Sequence, residues 1–247
     1  SVTSRYVPHQ TEDVLALVDA AGEAFDGKID CRTHFRDGHY VSIQPTGHDR
    51  LKVYGEQDNV WPRIVINAGY DGRAFNATMG YYRDLCSNLA MLKRVDGTTV
   101  SIRHTSGLRG YMDSLISTFN TLRESWAGLS DIILQLQRAE IQMVDFLNEI
   151  YPQPETDSSK RAITVHQDRT EAIFKRLQTE RFRSNRPVLG NDYKVSAWEA
   201  FNAIQGYVQH DAQSKKGFKS DFDRILRASR DANVKQAENL VMASLAA

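Results

Sequence analysis

The feature that most constrains this chain is a change of pattern near Gly110. Before that residue, short runs rich in β-branched and aromatic residues are separated by turns such as Asp37-Gly38 and Asp71-Gly72. An Asp-Gly pair between such runs is a strong short-range signal for a β-hairpin. After Gly110, apolar residues from Leu115 to Leu147 recur at three- and four-residue steps, which is the period of a helix. Strands followed by helices predict an α+β fold.

The first half predicts one helix and a mostly antiparallel β-meander sheet. Thr11 fits the N-cap of the helix, because carboxylates follow it in the first turn, and Gly22 fits the helix end. The runs that follow are joined by short turns, which favours neighbouring antiparallel strands. The predicted strands flank Asp37-Gly38 and continue at Ile64–Ile66, Phe75–Tyr81 and Thr99–His104.

The second half predicts helices. Tyr111–Tyr151 contains no proline and a single glycine, Gly128. It predicts either one helix of about 40 residues and about 60 Å, or a helix broken or kinked near Gly128. A proline- and serine-containing loop is predicted at 152–160. Further helical patterns cover 164–183, 196–213 and 220–245, and Ser196 with Glu199 matches a capping box.

We predict two regions, an α+β sheet domain over 1–110 and a helical region over 111–247 packed on it as one globular unit. The chain has 247 residues, of which 41% are hydrophobic, so it can bury a sizeable core. No window approaches the about 18 apolar residues of a membrane span. Because the start has no signal pattern and two cysteines, Cys31 and Cys86, make no disulfide framework, we predict a cytoplasmic protein.

Common motifs for nucleotides and metals are missing from the sequence. Neither GxxxxGK[ST] nor GxGxxG occurs, which argues against hydrolysis of nucleotides by a P-loop. The seven histidines are scattered, although His34 and His39 flank the predicted hairpin turn and are placed to face each other across it. No CxxC or HExxH spacing occurs. We therefore predict neither a metal site nor a cofactor.

Polar residues are interleaved with apolar ones between Val60 and Thr105. One interpretation is an enzyme pocket, in which Cys86 and His104 act as nucleophile and base. The other is structural: Cys86 is a small buried hydrophobic residue, while Arg83 and Asn88 bond to loop carbonyls and join the sheet to the next helix. Both interpretations concern the same residues: Asn67, Asp71, Arg83, Cys86, Asn88, Arg103 and His104.

Two later stretches are basic, although the formal net charge of the chain is zero. Arg169, Arg176 and Arg183 are seven residues apart and would form a stripe along one helix face. Such a stripe can neutralise phosphates, and nearby aromatic residues can stack on unpaired bases. The opposite interpretation is a solvated helix face. The predicted nucleic-acid contacts are Arg103, His104, Arg169, Lys175, Arg176, Arg181, Arg183, Lys215, Lys216 and Lys219.

Aromatic residues near these stretches have two interpretations. Phe174, Phe182, Tyr193 and Phe218 are candidates for stacking on unpaired bases. If the basic face is merely solvated, these rings belong to the core instead. For the segment that follows Ser196 we predict core packing, because Trp198, Phe201 and Tyr207 recur at helical spacing.

Four motifs occur in order along the chain: SRY at 4–6, RDLCSN at 83–88, SIRHT at 101–105 and SAWEAFNAIQGYVQH at 196–210. Together these residues resemble the phage/plasmid-like family catalogued as domain of unknown function number 932. The resemblance covers nearly the whole chain. It implies a mobile-element setting, such as a phage, prophage or plasmid, and it implies no particular activity.

From the basic helices and that setting we predict a nucleic-acid-binding protein, for single-stranded DNA in replication or recombination, without catalysis. Single-strand annealing proteins also build a β-meander against a long helix and oligomerise around a basic groove. By that analogy, which fold alone does not establish, a homo-oligomer is expected, and no membrane partner. Two alternatives stay open: an enzyme with a pocket around Cys86 and His104, and an interaction factor whose long helix binds a host protein.

Overall fold

The structure is a computed structural model that describes residues 10–24, 29–35, 39–45, 50–54, 58–68, 75–83, 88–90, 99–102, 126–212 and 231–245, with positions 119, 124 and 228. The chain divides into two compact units, each built from several stretches. Unit 1 comprises Ser1–Leu51, Val60–Tyr82 and Met91–Ser130, and unit 2 comprises Lys52–Asn59, Arg83–Ala90 and Asp131–Ala247. The predicted domain boundary at 110 lies outside the described residues.

The elements confirm the α+β class, with a helix and strands first and helices afterwards. The strands are β1 (Ile29–Phe35), β2 (His39–Pro45), β3 (Leu51–Lys52), β4 (Asn59–Ala68), β5 (Phe75–Arg83), β6 (Asn88–Ala90), β7 (Thr99–Ile102), β8 (Glu140–Gln142) and β9 (Lys194–Ser196). The helices are α1 (Thr11–Ala24), α2 (residues 126–138), α3 (Met143–Ile150), α4 (Lys160–Arg183), α5 (Ala197–Gly206) and α6 (Ala232–Ala243), with a π-helical turn at Tyr207–Asp211. Among the described helices, none is both long and apolar enough to cross a membrane.

Helix α1 supplies part of the core of unit 1. It begins at Thr11, so Gln10 occupies the capping position. The backbone N–H of Gln10 donates to Asp13 Oδ2 at 2.7 Å. The predicted cap at Thr11 is therefore shifted by one residue. The helix also continues past Gly22, which is buried, and Leu17 is fully buried on the same element.

The predicted hairpin around Asp37-Gly38 is confirmed by the antiparallel pairing of β1 with β2, in which Phe35 lies opposite His39. His34 lies opposite Tyr40. The sequence suggested that His34 and His39 face each other across the turn, but they are not cross-strand partners. Strand β2 also pairs antiparallel with β4, β5 lies beside β4, and β7 pairs antiparallel with β5. The predicted meander is therefore present in unit 1.

The predicted long helix is interrupted, but not at Gly128. Helix α2 passes through Gly128, and the interruption is strand β8 at Glu140–Gln142. Strand β8 pairs antiparallel with β9, with Ile141 opposite Val195. Because this pairing requires an extended backbone, the helical period of the sequence is overridden there. The Gln142 side chain then accepts a hydrogen bond from Val144 N at 2.8 Å and caps α3.

Helix α5 is the buried centre of unit 2. All of its residues from Ala197 to Gly206 are buried, and Trp198 and Phe201 are 0% and 1% exposed. The predicted capping box is confirmed: Ser196 Oγ accepts from Glu199 N at 3.2 Å, and Glu199 Oε2 accepts from Ser196 N at 3.0 Å. The core interpretation of Trp198 and Phe201 is thus confirmed. Tyr207 is half-buried in the π-helical turn.

Helix α4 is longer than predicted and its C-terminus has a cap that sequence reasoning missed. The predicted loop precedes it, and the helix begins at Lys160. At the other end Arg186 N donates to Arg181 O at 2.8 Å, and Asn185 N donates to Phe182 O at 3.1 Å, which is a Schellman motif. Asn185 has a φ of 55°, and asparagine is one of the few residues that tolerate this left-handed region.

Candidate nucleic-acid interface

Arg83 is the centre of a buried ion cluster in unit 2. Its side chain donates two parallel hydrogen bonds to Asp58, from Nε to Oδ1 at 2.8 Å and from Nη2 to Oδ2 at 2.7 Å. The third nitrogen, Nη1, donates to Glu180 Oε2 at 2.7 Å. The guanidinium carbon also lies 5.9 Å from the ring centroid of Trp198. All three nitrogens have internal acceptors, which supports the structural interpretation of Arg83. The acceptors are carboxylates, however, whereas the sequence suggested loop carbonyls.

Glu199 forms a second buried cluster. Its Oε1 accepts from Arg181 Nη1 at 2.7 Å, and its Oε2 accepts from Arg186 Nη2 at 3.3 Å. Ser196, which shares the capping box with Glu199, is also hydrogen-bonded to the Tyr54 hydroxyl. Burial, together with the negative charge of Glu199, raises the pKa of Tyr54 to about 12. The folded protein therefore keeps the phenolic proton of Tyr54 at pH values above 10, where a free tyrosine loses it.

Two predicted phosphate contacts belong to these internal ion pairs. Arg181 is 7% exposed and pairs with Glu199. Arg176 donates to Asp211 through Nε at 2.6 Å and Nη2 at 3.0 Å. Both guanidinium groups therefore neutralise carboxylates of the protein itself, and neither contributes to an open phosphate-binding surface.

The predicted stripe on α4 is only partly available to a ligand. The guanidinium carbon of Arg169 lies 4.6 Å from the ring centroid of Tyr151, so this cation already contacts an aromatic ring of the protein. Burial raises the pKa of Tyr151. Lys175 and Arg183 are exposed. The exposed charges of α4 remain mainly positive, since four basic residues stand against two acidic ones: Lys160, Arg161, Lys175 and Arg183 against Asp168 and Glu171.

A cleft of about 400 Å³ lies along one side of α4 in unit 2. His166, Thr170, Phe174 and Gln178 are four residues apart, so they share one face of the helix and line the cleft together. The remaining walls come from α3, from the loop after it and from Tyr193. None of the described residues that line the cleft is Asp, Glu, Lys or Arg.

Two aromatic rings form part of the cleft wall. Phe174 and Tyr193 are 5.6 Å apart between ring centroids and inclined at 68°, an edge-to-face arrangement. Tyr193 is 42% exposed and has a φ of 51°. A bulky residue in this left-handed region is unfavourable by about 1–2 kcal/mol. Two backbone hydrogen bonds of 3.0 Å hold it there: Tyr193 N donates to Gly190 O, and Tyr193 O accepts from Met143 N.

Three residues with primary amide side chains also line the cleft: Asn148, Gln153 and Gln178. Within the part of the chain that the structure describes, none of these side chains hydrogen-bonds to another protein group. His166 is different, because its Nε2 lies 3.1 Å from Tyr151 O. The cleft thus combines aromatic surface with unpaired neutral donors and acceptors, which is the usual chemistry of a small-ligand site.

The family described as Domain of unknown function (DUF932) matches residues 1–241. The chain belongs to this family. No curated protein and no solved structure matches it.

In this DUF932 chain, two of the motifs that carried the resemblance contribute buried residues to unit 2. The RDLCSN motif begins with Arg83, which is buried between Asp58 and Glu180. The tryptophan block forms α5, in which the Asn202 side chain donates to Trp198 O at 2.8 Å. These residues therefore stabilise unit 2.

The other predicted pocket residues of this DUF932 protein are described only in part. Asn67 lies in β4 opposite Tyr40, and Asn88 begins β6. The enzyme hypothesis stays a prediction, since the remaining residues of its pocket lie outside the described residues. So do several predicted nucleic-acid contacts and one stacking candidate. These positions are Asp71, Cys86, Arg103, His104, Lys215, Lys216, Phe218 and Lys219.

Sequence reasoning named Phe174 and Tyr193 but missed the polar side of the cleft. The available signal was the four-residue spacing of His166, Thr170, Phe174 and Gln178, which differs from the apolar stripe of an ordinary core-facing helix. Asn148 gave no signal, because its position opposite α4 depends on the fold of the whole unit.

Proposed function

We propose that this protein binds single-stranded nucleic acid through the α4 side of unit 2 and acts without catalysis. The observation that carries the proposal is the uncharged aromatic cleft, which lies along a helix whose exposed charges are mainly positive. Proteins that bind single strands combine cations along the backbone path with aromatic side chains on which bases stack. A role in replication or recombination fits the mobile-element setting that the sequence resemblance implies.

On α4, fewer of the basic residues that the sequence suggested are proposed to contact phosphate. Lys175 is exposed, and so are Lys160 and Arg161 in the first turn of α4. Arg183 is also exposed, but it is left out because it already interacts with another group of the protein. Arg176 is not among the proposed contacts, because it pairs with Asp211, and Arg181 is omitted for its pairing with Glu199. Since the net charge of the chain is zero, attraction to nucleic acid depends on this local surface.

The aromatic residues favour a single strand over a duplex. Phe182 is 84% exposed on α4, and Tyr193 is 42% exposed in the cleft. The flat face of a base is available for stacking only when the base is not already stacked in a duplex. Exposed large aromatic side chains beside cations therefore support binding to unpaired bases.

A charge reversal tests the proposal. Lys175→Glu places a negative charge on the proposed path of the strand, so we expect weaker binding of a labelled single strand and a smaller salt dependence by about one unit of the logarithmic slope. Lys235→Glu is the matched control, because Lys235 is an exposed lysine of α6. Equal loss of binding in the two variants, or no loss in either, contradicts the assignment to α4.

A further inference from the structure

We infer that the cleft along α4 receives one unstacked nucleobase. The inference rests on the proposed function and names the part of the strand that this site takes. The volume of about 400 Å³ lies in the lower part of the ~300–1,000 Å³ range of small-molecule sites. A cleft of this size can take a ligand as small as one base.

The absence of ionic side chains from the lining decides between base and phosphate. Among the described residues that line the cleft, none is Asp, Glu, Lys or Arg. A phosphate inside it would lose water without gaining an opposite charge, which is strongly unfavourable. A neutral heterocycle has no such penalty. The cations that suit phosphate, such as Lys175, are exposed on α4 outside the lining.

The aromatic wall suits a flat ring. Phe174 and Tyr193 both line the cleft and pack edge to face, with ring centroids 5.6 Å apart. The left-handed backbone of Tyr193, φ 51°, keeps that ring beside Phe174 at a conformational cost. Such strain is typical of residues that take part in binding.

The amides suit the edge of a base. The side chains of Asn148, Gln153 and Gln178 each offer two N–H donors and one carbonyl acceptor. Asparagine and glutamine are the side chains that pair with adjacent donor and acceptor groups on a base edge. Because these three amides make no hydrogen bond to other described groups, a base can satisfy them without breaking an internal contact.

The test compares two labelled strands of equal length, one with normal nucleotides and one with abasic nucleotides throughout. The abasic strand keeps the phosphates but has no base to enter the cleft. We expect the wild-type protein to bind the normal strand about ten-fold more tightly, as one base stacked on aromatic residues would give. Gln178→Ala and Phe174→Leu should each lower this ratio while leaving affinity for the abasic strand unchanged. Bases stacked on Phe182, which lies outside the cleft lining, keep the ratio above one.

The control and the outcomes separate this inference from the proposed function. Gln135→Ala removes an exposed glutamine of α2 outside the cleft and should keep the wild-type ratio. If the two cleft variants keep the wild-type ratio, the base site is refuted and the proposed function stands. If both strands bind equally well, no base contributes, so the base site and the stacking of bases on aromatic residues are both refuted and only binding through the cations of α4 stands. If neither strand binds, the proposed function and the inference both fail. Gln178 is exposed, so its variant is expected to fold.

Discussion

Arg83 and Asp58 are joined by two parallel hydrogen bonds, of 2.8 and 2.7 Å, inside unit 2. Arg83 comes from the end of β5 and is 1% exposed, while Asp58 is fully buried. Glu180 of α4 binds the remaining guanidinium nitrogen. The ion cluster therefore links three distant parts of the chain, and all three guanidinium nitrogens of Arg83 bind carboxylates of the protein itself.

Replacing Arg83 should destabilise the protein strongly. Arg83→Leu leaves Asp58 and Glu180 buried without their partner, and breaking a buried ion pair costs about 3–5 kcal/mol. Arg83→Lys should recover only part of this loss, because lysine lacks the planar fork that binds a carboxylate with two bonds. Urea-induced unfolding measures both values. Arg161→Leu, at an exposed position of α4, should stay within about 0.5 kcal/mol of wild type, and equal stability of the Arg83 and Arg161 variants would refute the structural role.

Gly128 should be replaceable with a gain in stability. It lies inside α2, and a Cβ atom added there would have no atom within 4 Å apart from the backbone of its own helix and its chain neighbours. Alanine in a helix interior is favoured over glycine by about 0.5–1 kcal/mol, because the unfolded chain has fewer conformations to lose. Thermal unfolding of Gly128→Ala should therefore show a higher midpoint. A lower midpoint would indicate that the helix bends at Gly128, as the sequence alone suggested.

Substitutions at Tyr193 should report its unusual backbone. Tyr193→Gly and Tyr193→Ala both remove the contact with Phe174, but only glycine adopts a φ of 51° without penalty. The glycine variant should therefore be more stable than the alanine variant by about 1 kcal/mol. Chemical denaturation of the two variants measures the difference. An alanine variant as stable as the glycine variant would contradict the left-handed conformation.

Tyr54 should make stability fall at alkaline pH. Burial raises its pKa from 10.0 to about 12 in the folded protein. Between these values the unfolded chain releases the phenolic proton while the folded chain retains it, so stability is fully present below pH 10 and is lost as pH rises towards 12. The slope is about 1.4 kcal/mol per pH unit for one proton.

The matched variant for this test is Tyr54→Phe. It removes the titrating hydroxyl, so the difference in unfolding free energy between wild type and variant should change between pH 9 and 11, measured as urea denaturation. Comparing the two proteins cancels the titration of other groups, including Tyr151, whose pKa is also raised. A difference that stays constant over this range would contradict the raised pKa of Tyr54.

Local chemistry explains which parts of the fold could be predicted. The hairpin at Asp37-Gly38 and the capping box at Ser196 depend on residues a few positions apart, and both are confirmed. Strand β8 depends on pairing with β9, far along the chain. The residues 140–142 alone do not indicate a pairing with β9, so the helical period of the neighbouring residues led to the wrong prediction of a helix there.

The candidate site shows the same limit. From the sequence alone Arg181 is a candidate phosphate contact, but in the fold it forms an ion pair with Glu199. Arg83 likewise binds Asp58, which lies 25 positions away in the chain. Charge counted along the sequence cannot separate such internal pairs from exposed cations. The aromatic residues Phe174 and Tyr193 were identifiable as stacking candidates, but their meeting in one cleft depends on the tertiary fold.

The most direct test of the proposed function is a fluorescence anisotropy titration of a labelled single strand of about 40 nucleotides over a series of salt concentrations. Cations that neutralise phosphates release counterions, so the logarithm of the affinity should fall linearly with the logarithm of the salt concentration. The account predicts binding at low salt that weakens steeply in this way. No binding at low salt, or binding that does not change with salt, would contradict it.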